Sequence, residues 1–179
     1  MPIPTGYAKI NPFIICDDAD GAMRFISEVF DAVEHVEART MDPDGLLVHA
    51  ELRVGDGSIL FCDRKPDWPY VPSTLQIYVD DVEATLARAE ARGGRIITPP
   101  TEFFGGIFSR MLDPWGNGWW VYDIPEDPEG ADASWQEEYG AGDDDDLGWE
   151  PTPELTLINE TMHTMFRSLV DPRTQNSAG

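Results

Sequence analysis

NPFIICDDADGAMRFISEVFDA, residues 11–32, and STLQIYVDDVEATLARAEARGG, residues 73–94, are two passes over one plan. In each, an apolar run ends in paired aspartates, Asp17-Asp18 and Asp80-Asp81. A carboxylate at that point can accept the free N–H groups of the next turn, so each pair predicts a strand giving way to a capped helix. Ala22, Met23, Ile26, Val29 and Phe30 recur at helical spacing in the first copy, and Val82, Leu86 and Ala89 in the second. Gly93-Gly94 supplies the stop, as glycine does at helix C-termini. A short strand-like run follows each helix, VEHVEART (33–40) or RIITPP (95–100), and then a hairpin. The hairpins are LLVHAELRVGDGSILFCD (46–63), turning at Gly55-Asp56-Gly57, and IFSRMLDPWGNGWWVYD (107–123), turning at Asp113-Pro114-Trp115-Gly116-Asn117. The expected architecture is α+β: two βαβββ modules forming a curved mixed sheet cup.

Around this repeat, composition sets the bounds. A hydrophobic fraction of 41% over 179 residues supports a packed core. The formal net charge is −22, which disfavours nucleic acid, whose phosphates need a basic footprint. The same field takes up a cationic or neutral ligand more easily than an anionic one, or it serves solubility alone. Eleven acidic residues and no Lys or Arg fall between Glu126 and Glu150. Such a block repels itself, so residues 1–125 are expected to form one domain and 126–151 an acidic linker. Residues 152–171 then predict an amphipathic helix and 172–179 a tail. Thr152 caps, Pro153 suits the first helical position, and Leu155, Ile158, Met162, Met165, Phe166 and Leu169 follow at helical spacing up to Pro172. One helix of this length is unstable alone and must dock on its own body, a second subunit or a partner. The opening MPIPTGYAKINPF has no basic segment followed by an apolar stretch, and no apolar run approaches the roughly 20 residues that span a bilayer. A cytoplasmic protein without membrane contact is expected. Cys16 and Cys62 lie in apolar runs, FIIC and ILFC, and read as buried thiols.

The stretches NPFIICDDADGAMRFISEVFDA, HAELRVGDGSILFCD, LQIYVDDVEATLARA and FFGGIFSRMLDPWGNGWWVYD together resemble the glyoxalase/bleomycin-resistance/extradiol-dioxygenase (vicinal oxygen chelate) superfamily, in particular its PhnB-like and bleomycin-resistance-like group. The resemblance covers residues 8 to 124. The last stretch is similar to a bleomycin-resistance signature at Phe104, Gly105, Asp113, Pro114, Gly116 and Asn117, whereas Ile107 and Phe108 stand where that signature has Arg and Glu. The resemblance implies a homodimer. It also implies that catalytic members take metal ligands at the positions held here by Asn11, Leu60, Thr74 and Trp120. Leu and Trp offer no donor for a divalent ion, and Asn and Thr are weak neutral ones, so no metal or other cofactor is expected.

Alternation along the strands then names the lining of the cup. The first strand contributes Asn11, Phe13 and Ile15, and the first hairpin His49, Glu51, Arg53, Leu60 and Cys62. From the second module come Thr74, Gln76 and Tyr78, then Phe108 and Arg110, then Trp120 and Tyr122. Phe103 and Phe104 could close one end. In the first hairpin Val54 is expected opposite Ile59 and Leu52 opposite Phe61. Rings interleaved with a few polar groups suit a flat, partly apolar molecule held by stacking, and a cation would gain further from the rings. The alternative is that the rings only fill a curved sheet. The leading expectation is a metal-free protein that sequesters an aromatic natural product or antibiotic, cationic or neutral. Two others stand beside it: an atypical lyase, isomerase or dioxygenase using His49 and Glu51 as an acid/base pair, and an interaction protein recruiting a partner through the acidic linker and final helix. His35 and His163 read as isolated, Trp115 as a packing residue, and Trp68 and Tyr70 as able to lie over a cup.

Overall fold

The computed structural model describes residues 3–103, 105–124 and 151–175. The first module runs β1 (Phe13–Cys16), α1 (Ala19–Phe30), β2 (Val33–Glu34), β3 (Thr40–Met41), β4 (Leu47–Val54) and β5 (Gly57–Asp63). The second runs β6 (Thr74–Val79), α2 (Val82–Glu90), β7 (Arg95–Phe103), β8 (Gly106–Leu112) and β9 (Gly118–Asp123). Two helices follow, α3 (Pro153–Arg167) and α4 (Pro172–Gln175). The strand orders are β1-β5-β4-β2, with β3 also on β4, and β6-β9-β8-β7. In both sheets the first strand pairs parallel with the last and the remaining main pairs are antiparallel. The repeat seen in the sequence is therefore a repeat of topology.

Both helices begin as the aspartate pairs predict. Asp18 accepts from the Gly21 N–H at 3.0 Å and Asp81 from the Ala84 N–H at 2.8 Å, each satisfying an otherwise free donor. At the far end of α2, Gly93 takes φ +88° and the Gly94 N–H bonds the Ala89 carbonyl at 2.8 Å. The apolar helix faces meet one core, in which Phe30 packs on Trp119 with ring centroids 4.7 Å apart. Cys16 and Cys62 are free and buried. Trp115 packs edge-on against Phe25, and Tyr70 donates from its hydroxyl to the Trp115 carbonyl, so both belong to the packing of this chain.

Three local expectations shift. The first hairpin pairs Val54 with Gly57, Leu52 with Ile59 and Ala50 with Phe61, two residues tighter than the sequence suggests. Only Gly55 and Asp56 form the loop. Gly55 has φ +54°, the positive value required at the first position of a type II′ turn, whose twist suits a hairpin. Because the shift is two, every side chain keeps its face. On β4, Met41 pairs with Leu47 but Thr40 with His49, so Val48 is an extra residue that turns Leu47 into the core. The final amphipathic run ends at Arg167, and Pro172 opens a short helix in what was expected to be tail. Among the described residues no helix is long and apolar enough to cross a membrane. The acidic stretch Glu126–Glu150 and Phe104 lie outside the described residues.

Candidate functional site

Each sheet has a face turned away from α1 and α2, and the candidate residues gather in two clusters, one on each such face. On the first sheet Leu60 stands between Phe13 and Glu51 in cross-strand register. Glu51 is only 4% exposed, and its neighbours explain how a carboxylate is kept there. The Tyr7 hydroxyl donates to both carboxylate oxygens at 2.6 and 2.7 Å, and His49 Nε2 lies 2.9 Å from one of them. His35 Nδ1 approaches the other at 3.4 Å, and Arg53 stands 3.9 Å away. Burial works to raise the Glu51 pKa, but the hydrogen bonds from Tyr7, His49 and His35 outweigh it and hold the group below its usual range. The same bond raises the Tyr7 pKa.

The segment that brings Tyr7 here lies along the sheet face. Ser58 donates to the Gly6 carbonyl at 2.6 Å, and the Arg53 guanidinium sits 4.8 Å from the centre of the Tyr7 ring. Gly6 has φ +87°, a conformation that glycine adopts without strain, and a Cβ there would push aside the end of the Arg53 side chain. Asn11 is spent locally, its amide exchanging bonds with the Ala8 backbone at 2.9 and 2.8 Å. Phe13 remains 43% exposed beside His49, at a ring separation of 6.2 Å.

The second sheet presents two cross-strand rows on its corresponding face. Arg110, Trp120 and Gln76 form one, and Phe108, Tyr122 and Tyr78 the other. The rings run in sequence: Tyr78 to Tyr122 at 5.5 Å, Tyr122 to Phe108 at 4.9 Å, Phe108 to Phe103 at 5.8 Å. Tyr78 is 55% exposed at the open end and accepts a hydrogen bond from the Gln76 amide at 2.9 Å. Thr74 starts the edge strand opposite Gly118, also exposed. The Arg110 guanidinium lies between rings, its Cζ 4.7 Å from the centre of Phe108 and 5.0 Å from that of Trp120.

Over the Arg110 end of this face lies α3. Met165 is fully buried and reaches Gly118, Phe166 meets Trp120 at 6.2 Å, and Thr161 shares a 2.7 Å hydrogen bond with Thr98. Arg110 donates from Nη1 to the Ile158 carbonyl. Beyond the helix, Asp171 binds Arg64 through two hydrogen bonds, 2.6 and 2.9 Å long. Of the three docking modes open to this helix, its own body is therefore one it uses.

The sequence named the rings, Arg110, His49 and Glu51, and strand alternation placed them on these faces. It missed Tyr7, His35, Thr98 and the Ile158 carbonyl. Tyr7 and Ile158 are reached from segments without strand periodicity, and His35 stands in a turn that alternation does not orient. The signal available for His35 was only its proximity, through β2, to the strand carrying Glu51.

The donor set does not suit a metal at the positions that the resemblance points to. Leu60 is hydrocarbon, Trp120 offers only an N–H, and the Asn11 amide is engaged with Ala8. Among the described residues no three His, Cys, Asp or Glu side chains are gathered as metal ligands. His49 and His35 instead converge on opposite oxygens of one carboxylate, which is a hydrogen-bonded charge cluster.

Comparison with known proteins agrees with this architecture. The family model of the Glyoxalase/Bleomycin resistance protein/Dioxygenase superfamily matches residues 9–121. An uncharacterized protein of Mycobacterium bovis is 30% identical over 122 residues, spanning 62% of this chain and 79% of its own. Among solved structures, a Pseudomonas aeruginosa protein, PA1353, aligns with a TM-score of 0.55 at 21% identity, covering 66% of this chain and 99% of that one. A PhnB protein from Bacillus cereus aligns with a TM-score of 0.52 at 19% identity, covering 65% and 100%. At these identities the structural likeness concerns the fold alone. The family match stops at residue 121, so α3 lies beyond it.

Proposed function

Because the chain belongs to the glyoxalase/bleomycin resistance protein/dioxygenase superfamily, we propose that it is a small-molecule-binding protein whose ligand stacks on the ring row of the second sheet. The observation that carries this reading is the unbroken series Tyr78–Tyr122–Phe108–Phe103, open to solvent at Tyr78 and closed at the other row by Trp120 and Arg110. Rings spaced 4.9 to 5.8 Å apart on a rigid sheet form a platform for a flat molecule. A core-filling role accounts for Phe108, which is buried, but not for Tyr78. Such a protein acts stoichiometrically in the cytoplasm, holding a natural product or antibiotic away from its target. The donor set at the family's ligand positions supports binding without a metal.

The test is a thermal-shift screen of planar aromatic compounds against the full chain and Tyr78→Ala. Mass action on the native state is expected to raise the melting temperature of the wild type, less so that of the variant. Failure of every compound to shift the wild type would count against the reading. A homodimer belongs to the same proposal: β2 is an edge strand, and Val33 and Val36 near it are exposed. Sedimentation equilibrium checks it.

One observation favours the enzyme reading, the partly exposed His49 beside the ionised Glu51 and the exposed Phe13. Conversion of a bound compound that is lost in His49→Ala would establish it, and recovery of the compound unchanged would reject it.

A further inference from the structure

Two arginines are buried to within a few per cent, and they are treated differently. Arg64, 2% exposed, meets Asp17 and Asp171 through paired hydrogen bonds between 2.6 and 3.2 Å. Arg110, 4% exposed, has no carboxylate partner among the described residues. Its Nε is fully buried with no acceptor among the described residues. Its Nη1 is directed to neutral oxygens, the Ile158 carbonyl and, at 3.4 Å, the Thr98 hydroxyl. The Ile158 carbonyl is already shared with Thr161 at 3.1 Å. A buried cation without a counter-charge is expensive, and the cost is visible in the direction of its pKa, lowered by burial.

The surroundings are those of a receptor. The rings of Phe108 and Trp120 flank the guanidinium, and with Nη1 engaged it is the Nε edge that has no acceptor among the described residues. A cavity of about 450 Å³ opens onto Arg110 beneath the first half of α3, lined by Leu155, Ile158, Asn159 and Met162. Glu160 also lines it, an exposed carboxylate that water screens. We propose that Arg110 receives an anionic group of the ligand, so that the site takes aromatic acids, a planar ring system on the platform with its carboxylate on the guanidinium. This inference rests on the ligand-binding reading of the same face. It reverses what the overall charge suggests, because the local charge among these rings is positive. A carboxylate matches the guanidinium fork with two parallel hydrogen bonds, which a carbonyl cannot do.

The experiment compares 2-naphthoate with 2-naphthamide, of similar shape but uncharged, by calorimetric titration of the full chain and of Arg110→Gln. Wild-type protein is expected to bind the acid about tenfold more tightly than the amide, the ratio that a charge-assisted hydrogen bond supplies. In Arg110→Gln the advantage of the acid over the amide should disappear. Equal affinities in the wild type, or a preference for the acid that survives in Arg110→Gln, would overturn the proposal. If both compounds bind equally and both weaken in Tyr78→Ala, the platform stands and the anion receptor falls. If neither binds, both fall. Should Arg110→Gln not fold, the acid-to-amide ratio of the wild type decides alone.

Discussion

Arg64 and Arg110 are chemically identical, yet removing them should have opposite consequences. Arg64→Met removes the paired hydrogen bonds to Asp171 and leaves Asp17 to Arg173 alone, loosening the tie between α4 and the body at a cost on the order of 2 kcal/mol. Arg110→Met removes a charge with no carboxylate partner among the described residues and keeps the apolar stem, giving up the guanidinium's ring contacts and its bond to Ile158, so stability should change by less than about 1 kcal/mol or rise. Urea denaturation of the two variants checks the contrast. A binding residue that costs stability in the unliganded protein is the expected signature of a functional site. Glu51 behaves differently, because its charge is fully partnered. Its folded pKa lies below the unfolded value of about 4.3, so its contribution is present above that pH and is lost as the pH falls through the folded value. Melts of wild type and Glu51→Gln between pH 3 and pH 7 should therefore converge at the acid end and differ at neutrality. A gap that stays constant across the range would contradict the assignment.

The strands and helices were legible wherever period and punctuation agreed. Asp18 and Asp81 cap as read, Gly93-Gly94 stops α2, and the two-residue period put Glu51, Arg110 and Tyr122 on the faces they occupy. The hairpin at Gly55-Asp56 shows the limit of such reading. Gly55-Asp56-Gly57 marks a turn without fixing its length, so the register differs by two while every side chain keeps its face. Tyr7 and His35 were invisible for a different reason: they reach Glu51 from segments that carry no period, the first across 44 positions of chain. The docking site of α3 was likewise illegible, since amphipathicity predicts an apolar partner without identifying it. Once placed, the helix makes its own prediction. Met165 is completely buried over Gly118, so Met165→Ala should cost about 2–5 kcal/mol if α3 unfolds with the body in one transition. An earlier, separate loss of helical signal would mean that α3 leaves the sheet before the core opens. Thr98–Thr161 and Arg95–Ser168 add polar contacts along the exposed edge strand β7, whose Pro99-Pro100 pair is tolerated because an edge needs no full ladder.

Taken whole, the molecule is a duplicated fold whose two halves have diverged in what they place outward. The first half covers its sheet with the N-terminal segment and satisfies a buried carboxylate; the second leaves rings and a guanidinium without a carboxylate partner among the described residues, under a helix from beyond the family domain. Net charge, read over the entire chain, pointed to cations, and the arrangement of one arginine points the other way. Charge totals describe long-range fields, whereas recognition is decided within a few ångströms. The division of labour between the halves can be observed directly by following backbone amide shifts of the labelled 20.0 kDa chain during titration with neutral 2-naphthamide. The largest changes are expected on β6, β8 and β9, around Tyr78, Phe108 and Tyr122; changes centred on Tyr7, Phe13 and His49 instead would move the ligand to the other sheet and contradict the reading.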